Sequence, residues 1–202
     1  MLRLPLVSLL LGVTASAAAQ TPTPAAPTQG VPVINLPTVT VVAQKEPVPL
    51  ERVPASITVV SGESLRRVGA TVVSDAALFA PNTFYADLSA RKVSNARFRG
   101  IGASPANPSV TTAIDGVPQL NANSSNLELL DIEQIELVRG AHSALFGRNT
   151  LGGVVNVTSR RPSLTSREGR VLLPFGSNGE RGLSLSVGAP LVDGRVGGSL
   201  AL

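Results

Sequence analysis

Between Ile132 and Val138, Ile135 and Leu137 fall two apart among charged and amide side chains, which predicts a half-buried strand. Gly140 ends it. Ala141, Ala144 and Leu145 then recur at the spacing of one helical turn until Gly147 breaks the pattern. After Arg148, Asn149 and the pair Gly152-Gly153, the β-branched run Val154, Val155 and Val157 predicts a second strand. The stretch Asp131 to Pro162 therefore reads as strand, glycine-bounded turn, strand, and the rest of the chain is organised around it.

Upstream, Ser56 to Val60 predicts a strand, and Ser61-Gly62-Glu63-Ser64 with Leu65 and Val68 predicts a capped short helix closing at Gly69. A second helix is expected from Ser74 or Asp75 through Phe79, ended by Pro81. From Asn95 to Gly100, Arg97 and Arg99 alternate with Ala96 and Phe98, so one face of that strand is cationic and the other packs inward. Thr111 to Ile114 is a further strand, and Asp115-Gly116 turns the chain into Val117-Pro118. Two loops are expected, from Ala103 to Ser109 and through Gln119, Asn121, Asn123 and Asn126.

Downstream the character changes. A strand from Arg170 to Phe175 is broken by Pro174, and Gly176 to Gly179 is a turn. Leu183 to Val187 alternates apolar and polar without exception, the period of a strand with one face in lipid or core and the other in water. Asp193-Gly194 turns again, and Val196 starts another strand that runs to Leu202. Three strands cannot close a barrel, since the smallest have about eight. They read as the opening of a barrel or as a short sheet at the rim of the domain.

At the other end, Arg3, an apolar run from Leu4 to Val13 and small residues ending at Ala19 form a secretory signal peptide, with cleavage expected after Ala19 or Ala17. The apolar core is about half the roughly twenty residues a membrane-spanning helix needs. Residues 20–36, rich in Pro, Thr and Ala and free of charge, predict an extended linker. The β-favouring run Thr38 to Ala43 follows, with Pro47 and Pro49 beyond it. Its unpaired backbone groups suit addition to the sheet edge of a partner or, alternatively, the first edge strand of the domain itself.

Composition narrows the function. With 43% hydrophobic and 15% charged residues, 19 Gly, 16 Pro and no Cys, the chain has neither a disulfide framework nor thiolate sites. Residues 20–138 carry eight basic against ten acidic groups, a net of −2, and residues 139–202 carry eight against three, a net of +5. Six aromatics, scattered over the whole length, do not interleave with the basic residues as nucleic-acid binding requires. Neighbouring His142 and Ser143 point apart on a helical turn, no nucleophile-elbow or dinucleotide spacing occurs, and one His without Cys offers no metal set. No catalytic, metal or cofactor site is expected.

The pattern of Ile132 to Gly140, then Ser143 to Asn149, then Gly152 to Pro162, resembles the end of the plug domain of TonB-dependent outer-membrane receptors. The phrases around Arg97 to Gly102 and Ala113 to Pro118 resemble that family's plug strands too. The resemblance implies an α+β fold: a plug with a small mixed sheet and short helices over residues 48–162, then the first antiparallel strands of an incomplete transmembrane β-barrel over 163–202. Residues 1–19 would be the signal peptide, 20–36 the linker and 37–47 the box that binds TonB, the periplasmic energy-coupling protein, through Thr38, Val39, Thr40, Val41, Val42 and Ala43. It implies barrel contacts for Arg97, Arg99, Glu133, Glu136 and Arg139, and a plug motif of Gly140, Gly147, Arg148, Asn149, Gly152, Gly153 and Asn156. The expected role is uptake of a scarce nutrient across the bacterial outer membrane, an iron-siderophore complex first, with cobalamin or an oligosaccharide needing the same plug. The expected orientation has the plug facing the periplasm. Two rivals remain at this level: a stand-alone periplasmic interaction module, and an exported hydrolase using Ser143 and His142.

Overall fold

The computed structural model describes residues 39–43, 46–87, 94–102, 104, 107–119, 125–179 and 181–202, all within one compact unit, Pro37–Leu202. The expected signal peptide, the linker, Thr38, and Asn121 and Asn123 lie outside the described residues.

A five-stranded mixed sheet forms the centre. In chain order its strands are β3 (Ser56–Ser61), β6 (Val110–Ile114), β7 (Val117–Gln119), β8 (Ile132–Arg139) and β9 (Gly153–Ser159), arranged β3-β8-β9-β6-β7. Only β6 and β9 run parallel; the other neighbours are antiparallel. β8 and β9 are interior strands and bury residues on both faces, which is why Val154 to Val157 lack a clean polar alternation.

The pleat sorts side chains into two layers. On one face Val60, Ile135, Leu137, Val155 and Val157 meet Leu65, Val73, Ala76, Ala96 and Phe98. Those partners come from helix α1 (Gly62–Arg67), a 3-10 helix over Val73–Phe79, and the hairpin of β4 (Thr83–Asp87) and β5 (Ser94–Phe98). Ser61 caps α1 by accepting the Ser64 amide at 3.1 Å. On the opposite face Ala113, Val138 and Val154, flanked by Ile57 and Val59, are covered by Val41, Ala43, Leu50, Val53 and Phe146. The first four belong to the N-terminal segment that holds β1 (Thr40–Val41) and β2 (Val48–Pro49), which pair antiparallel; Phe146 belongs to helix α2 (Ser143–Phe146).

Gly153 is dictated by its surroundings. Its φ is +147°, and a Cβ there would overlap the Val138 carbonyl oxygen and sit 2.6 Å from the Phe98 ring. The ring can lie on the strand only because that position has no side chain.

The last forty residues form a separate antiparallel meander of β10 (Glu168–Leu172), β11 (Ser184–Val192) and β12 (Val196–Ala201). Its cross-strand rows alternate in chemistry. Val171 pairs with Leu185, and Val187 with Leu200, on one face; Arg170 pairs with Ser186, and Gly188 with Ser199, on the other.

Three local expectations need correction. The second helix is 3-10 throughout and starts at Val73, because Asp75 turns back to accept the Thr71 and Val72 amides at 2.8 and 3.1 Å. Arg99 is not on a strand face: β5 stops at Phe98, and Arg99 with φ +52° and Gly100 with φ +78° make a two-residue turn closed by reciprocal bonds between Phe98 and Ile101. Gln119 ends β7 rather than lying in a loop.

Candidate functional site: the stored N-terminal segment and the plug edge

On the face covered by the N-terminal segment, one cross-strand row runs Val59, Glu136, Asn156, Ala113. Glu136 is therefore a carboxylate set beside the Asn156 amide in a largely apolar layer, and it is 0% exposed. Burying it costs free energy unless its oxygens are satisfied. Four donors do so: the backbone amide of Val42 to Oε1 at 2.7 Å, that of Ala43 to Oε2 at 2.7 Å, Gln134 Nε2 to Oε1 at 2.7 Å and Asn156 Nδ2 to Oε2 at 3.1 Å. Gln134 also donates to the Thr40 carbonyl at 3.0 Å.

This corrects the expectation for Glu136. Its carboxylate is enclosed by atoms of its own chain and reaches no outer wall, because the strand period puts it on the face of Gln134 and Val138 and the segment that covers that face lies more than ninety residues away in sequence. The other charges divide. Glu133 and Arg99 are exposed. Arg97 is half-buried beside Phe84, on the face of the β4–β5 hairpin that turns away from Ala96 and Phe98. Arg139 donates to the Pro81 carbonyl at 3.2 Å and to Thr58 Oγ1 at 2.9 Å, bracing β8 against β3 and the end of the 3-10 helix.

The segment expected to bind a partner is thus held on the plug. Thr40 and Val41 pair with Pro49 and Val48, Val41 and Ala43 are buried, and Val39 is exposed. The Leu50 amide returns to the Val39 carbonyl at 3.0 Å.

The glycine-bounded motif proves to be an anchor for α2. Thr111 Oγ1 donates to the Asn149 carbonyl at 2.8 Å, Thr150 Oγ1 to the Gly147 carbonyl at 2.7 Å, and the His142 amide to the Thr150 carbonyl at 3.1 Å. Asn149 takes φ +64°, a left-handed conformation asparagine tolerates. Arg148 is exposed, and Gly140 follows β8 with φ +114°. His142 Nδ1 lies 2.8 Å from the Gly140 carbonyl, so that nitrogen donates and is spent on the backbone.

The residue that sequence reasoning passed over is Asp131. With φ +42° it sits just before β8; its Oδ1 accepts a hydrogen bond from Arg170 Nη1 at 2.8 Å and forms an ion pair with Arg160 Nε at 3.3 Å. Arg170 is on β10, so this carboxylate joins the central sheet to the meander. Arg66 lies in the same cationic neighbourhood: burial, then the charges of Arg170 and Arg160, lower its pKa. The polar face of the meander turns toward this junction. Positions 188 and 197 approach Pro162, so Arg170, Ser186 and Ser199 look inward. The reverse face presents Val171, Val187, Leu191 and Leu200 to the outside, with Leu191 72% exposed. Such an amphipathic sheet fits an apolar exterior and a polar lumen. Among the described residues no helix is long and apolar enough to cross a membrane, which says nothing about strands, and no group of three or more acidic or histidine side chains is placed to hold a metal.

Comparison with known proteins places this geometry. Residues 49–154 match the profile of the TonB-dependent Receptor Plug Domain. The pesticin receptor of Yersinia pestis is 30% identical over 149 residues, 73% of this chain and 22% of that protein. The ferrioxamine B receptor of Salmonella typhimurium is 30% identical over 145 residues, 69% of this chain and 20% of that protein. Among solved structures, the ferric yersiniabactin uptake receptor of Yersinia pestis superposes with a TM-score of 0.68 at 27% identity, covering 73% of this chain and 23% of the other. The chain thus spans about a fifth of the length of the curated relatives it matches.

Proposed function

Because this chain belongs to the TonB-dependent receptor plug domain family, we propose that it is the plug, with the first barrel strands, of an outer-membrane receptor that takes up a scarce nutrient, an iron-siderophore complex. The single observation that carries the reading is the joining of a plug sheet to a meander whose outer face is apolar and whose inner face, with Arg170 on Asp131, is polar. A plug inside a barrel needs polar walls that can part, and the membrane around the barrel needs an apolar exterior. Two relatives support the substrate class, being named for ferrioxamine B and ferric yersiniabactin.

In this reading residues 1–19 direct export, 20–36 are a tether, 37–47 hold the coupling box, 48–162 are the plug and 163–202 open the barrel. Residues 38–43 add to an edge strand of TonB, while Arg97, Arg99, Glu133 and Arg139 face the barrel wall. The protein lies in the outer membrane with its box toward the periplasm, and its role is binding and transport rather than catalysis.

The test is uptake of radiolabelled ferric siderophores by cells whose outer membrane carries the receptor containing this chain and no other siderophore receptor. Accumulation that requires an energised TonB is expected. Accumulation that is equal without TonB, or uptake of cobalamin or an oligosaccharide but of no ferric siderophore, overturns the assignment.

A further inference from the structure

Successive amides of an extended strand point to opposite sides, so a strand that adds to a sheet edge offers every second N–H to its partner. The amides of Val42 and Ala43 break that rule, since both end on the carboxylate of Glu136, one on each oxygen, at 2.7 Å. Strand β1 stops at Val41, and the chain turns at Ala43.

We propose that Glu136 is a latch that stores residues 39–43 in a bent form unable to join a partner's sheet, and that it must release Val42 and Ala43 before the segment can be handed over. The inference rests on the coupling role proposed above for that segment.

Three side chains build the device. Gln134 and Glu136 lie two apart on β8 and so share its face, and Asn156 stands directly opposite Glu136 on β9. Gln134 holds the Thr40 carbonyl and one Glu136 oxygen; Asn156 steadies the other oxygen. Around them Val41 and Ala43 bury against Ala113, Val138, Phe146 and Val154. Apolar contact makes the segment adhere, and the carboxylate fixes where. A slip of one residue would turn the buried side chains outward and leave a buried carboxylate short of donors, so one register is strongly favoured. Once the segment leaves, the same carboxylate faces water and is hydrated. The arrangement is therefore stable when closed in one register and tolerable when open, as a reversible latch requires.

Amide hydrogen exchange on the full chain tests it, comparing wild type with Glu136→Gln and with Gln134→Ala. Glu136→Gln keeps the volume but replaces one acceptor oxygen with a donor facing a backbone N–H. Exchange at Val42 and Ala43 is expected to quicken at least about tenfold, with Leu137 and Val155 unchanged, and less strongly in the same direction for Gln134→Ala. Wild-type rates at 42 and 43, or equal acceleration at all four positions, overturn the latch. If Glu136→Gln fails to fold, Gln134→Ala decides alone: acceleration confined to 42 and 43 supports the latch, and none overturns it. Adding the periplasmic C-terminal domain of TonB separates the two readings. Tighter binding to the variants supports both, whereas faster exchange at 42 and 43 with no binding by any form leaves the latch standing and removes the coupling role.

Discussion

Arg170 on the first strand of the meander donates to Asp131 at the foot of the central sheet, 2.8 Å from Nη1 to Oδ1. Arg160 reaches the same oxygen at 3.3 Å, and Arg66 stands near enough for the other two arginines to lower its pKa. Asp131 thus holds two arginines where the plug meets the strands that follow, with Arg66 beside them.

Replacing Asp131 with Asn should therefore loosen this junction more than a surface pair would. Asp131 is only 15% exposed in its side chain, so a loss of about 1–2 kcal/mol is expected, after discounting for the two arginines, each about a third exposed. The loss should shrink as salt rises, because the remaining arginines repel one another. Urea unfolding at low and high ionic strength measures both effects; a salt-independent change would show that charge is not the cause.

Gly153→Ala should be severe. The substitution combines a φ of +147° with overlap on the Val138 carbonyl and the Phe98 ring. A cost above about 3 kcal/mol is expected, or failure to fold. Pairing it with Phe98→Ala is informative, since removing the ring should recover only the part of the cost that comes from that contact. Full recovery would mean that the backbone conformation contributes nothing.

Ile135→Ala removes a fully buried side chain from the layer shared with Val60, Leu65 and Leu137. Between two packed elements the site cannot collapse freely, and about 2–5 kcal/mol should be lost in thermal or urea unfolding. The neighbouring change Glu133→Ala, at an exposed position of the same strand, should stay within about 0.5 kcal/mol.

Tyr85 should make stability fall at alkaline pH. Burial of its hydroxyl pushes its pKa well above that of a free tyrosine, and the hydroxyl has no partner among the described residues. The sign follows from proton counting. Below about pH 10 both folded and unfolded states hold the proton, and stability is full. Above it the unfolded chain releases the proton while the folded one keeps it, so stability declines as pH rises toward the folded value. Tyr85→Phe should lack this part of the decline; identical pH profiles for the two proteins would contradict it.

Much of the plug was legible from the chain alone, for a local reason. Strands betray themselves by a period of two and turns by glycine and asparagine, so β3, β6, β8, β9 and the Asp115-Gly116 turn follow from neighbours in sequence. The motif from Ile132 to Pro162 likewise carried the family, and the alternation of Leu183 to Val187 carried the two-faced meander.

What alternation does not say is what covers a face. Glu136 and Glu133 look alike in sequence, yet one is sealed under Val42 and Ala43 and the other is exposed, because a segment more than ninety residues away lies on one side of the sheet. The start of the 3-10 helix Val73–Phe79 is likewise tied to a distant segment, since the Asn126 side chain accepts the Ser74 amide at 2.8 Å. The sequence by itself determined the periods, the turns and the family. The tertiary structure alone decided which charges are buried, that β6 runs parallel to β9, and that Asp131 meets Arg170, because each depends on which distant segment supplies the missing hydrogen-bond partner or the covering apolar surface.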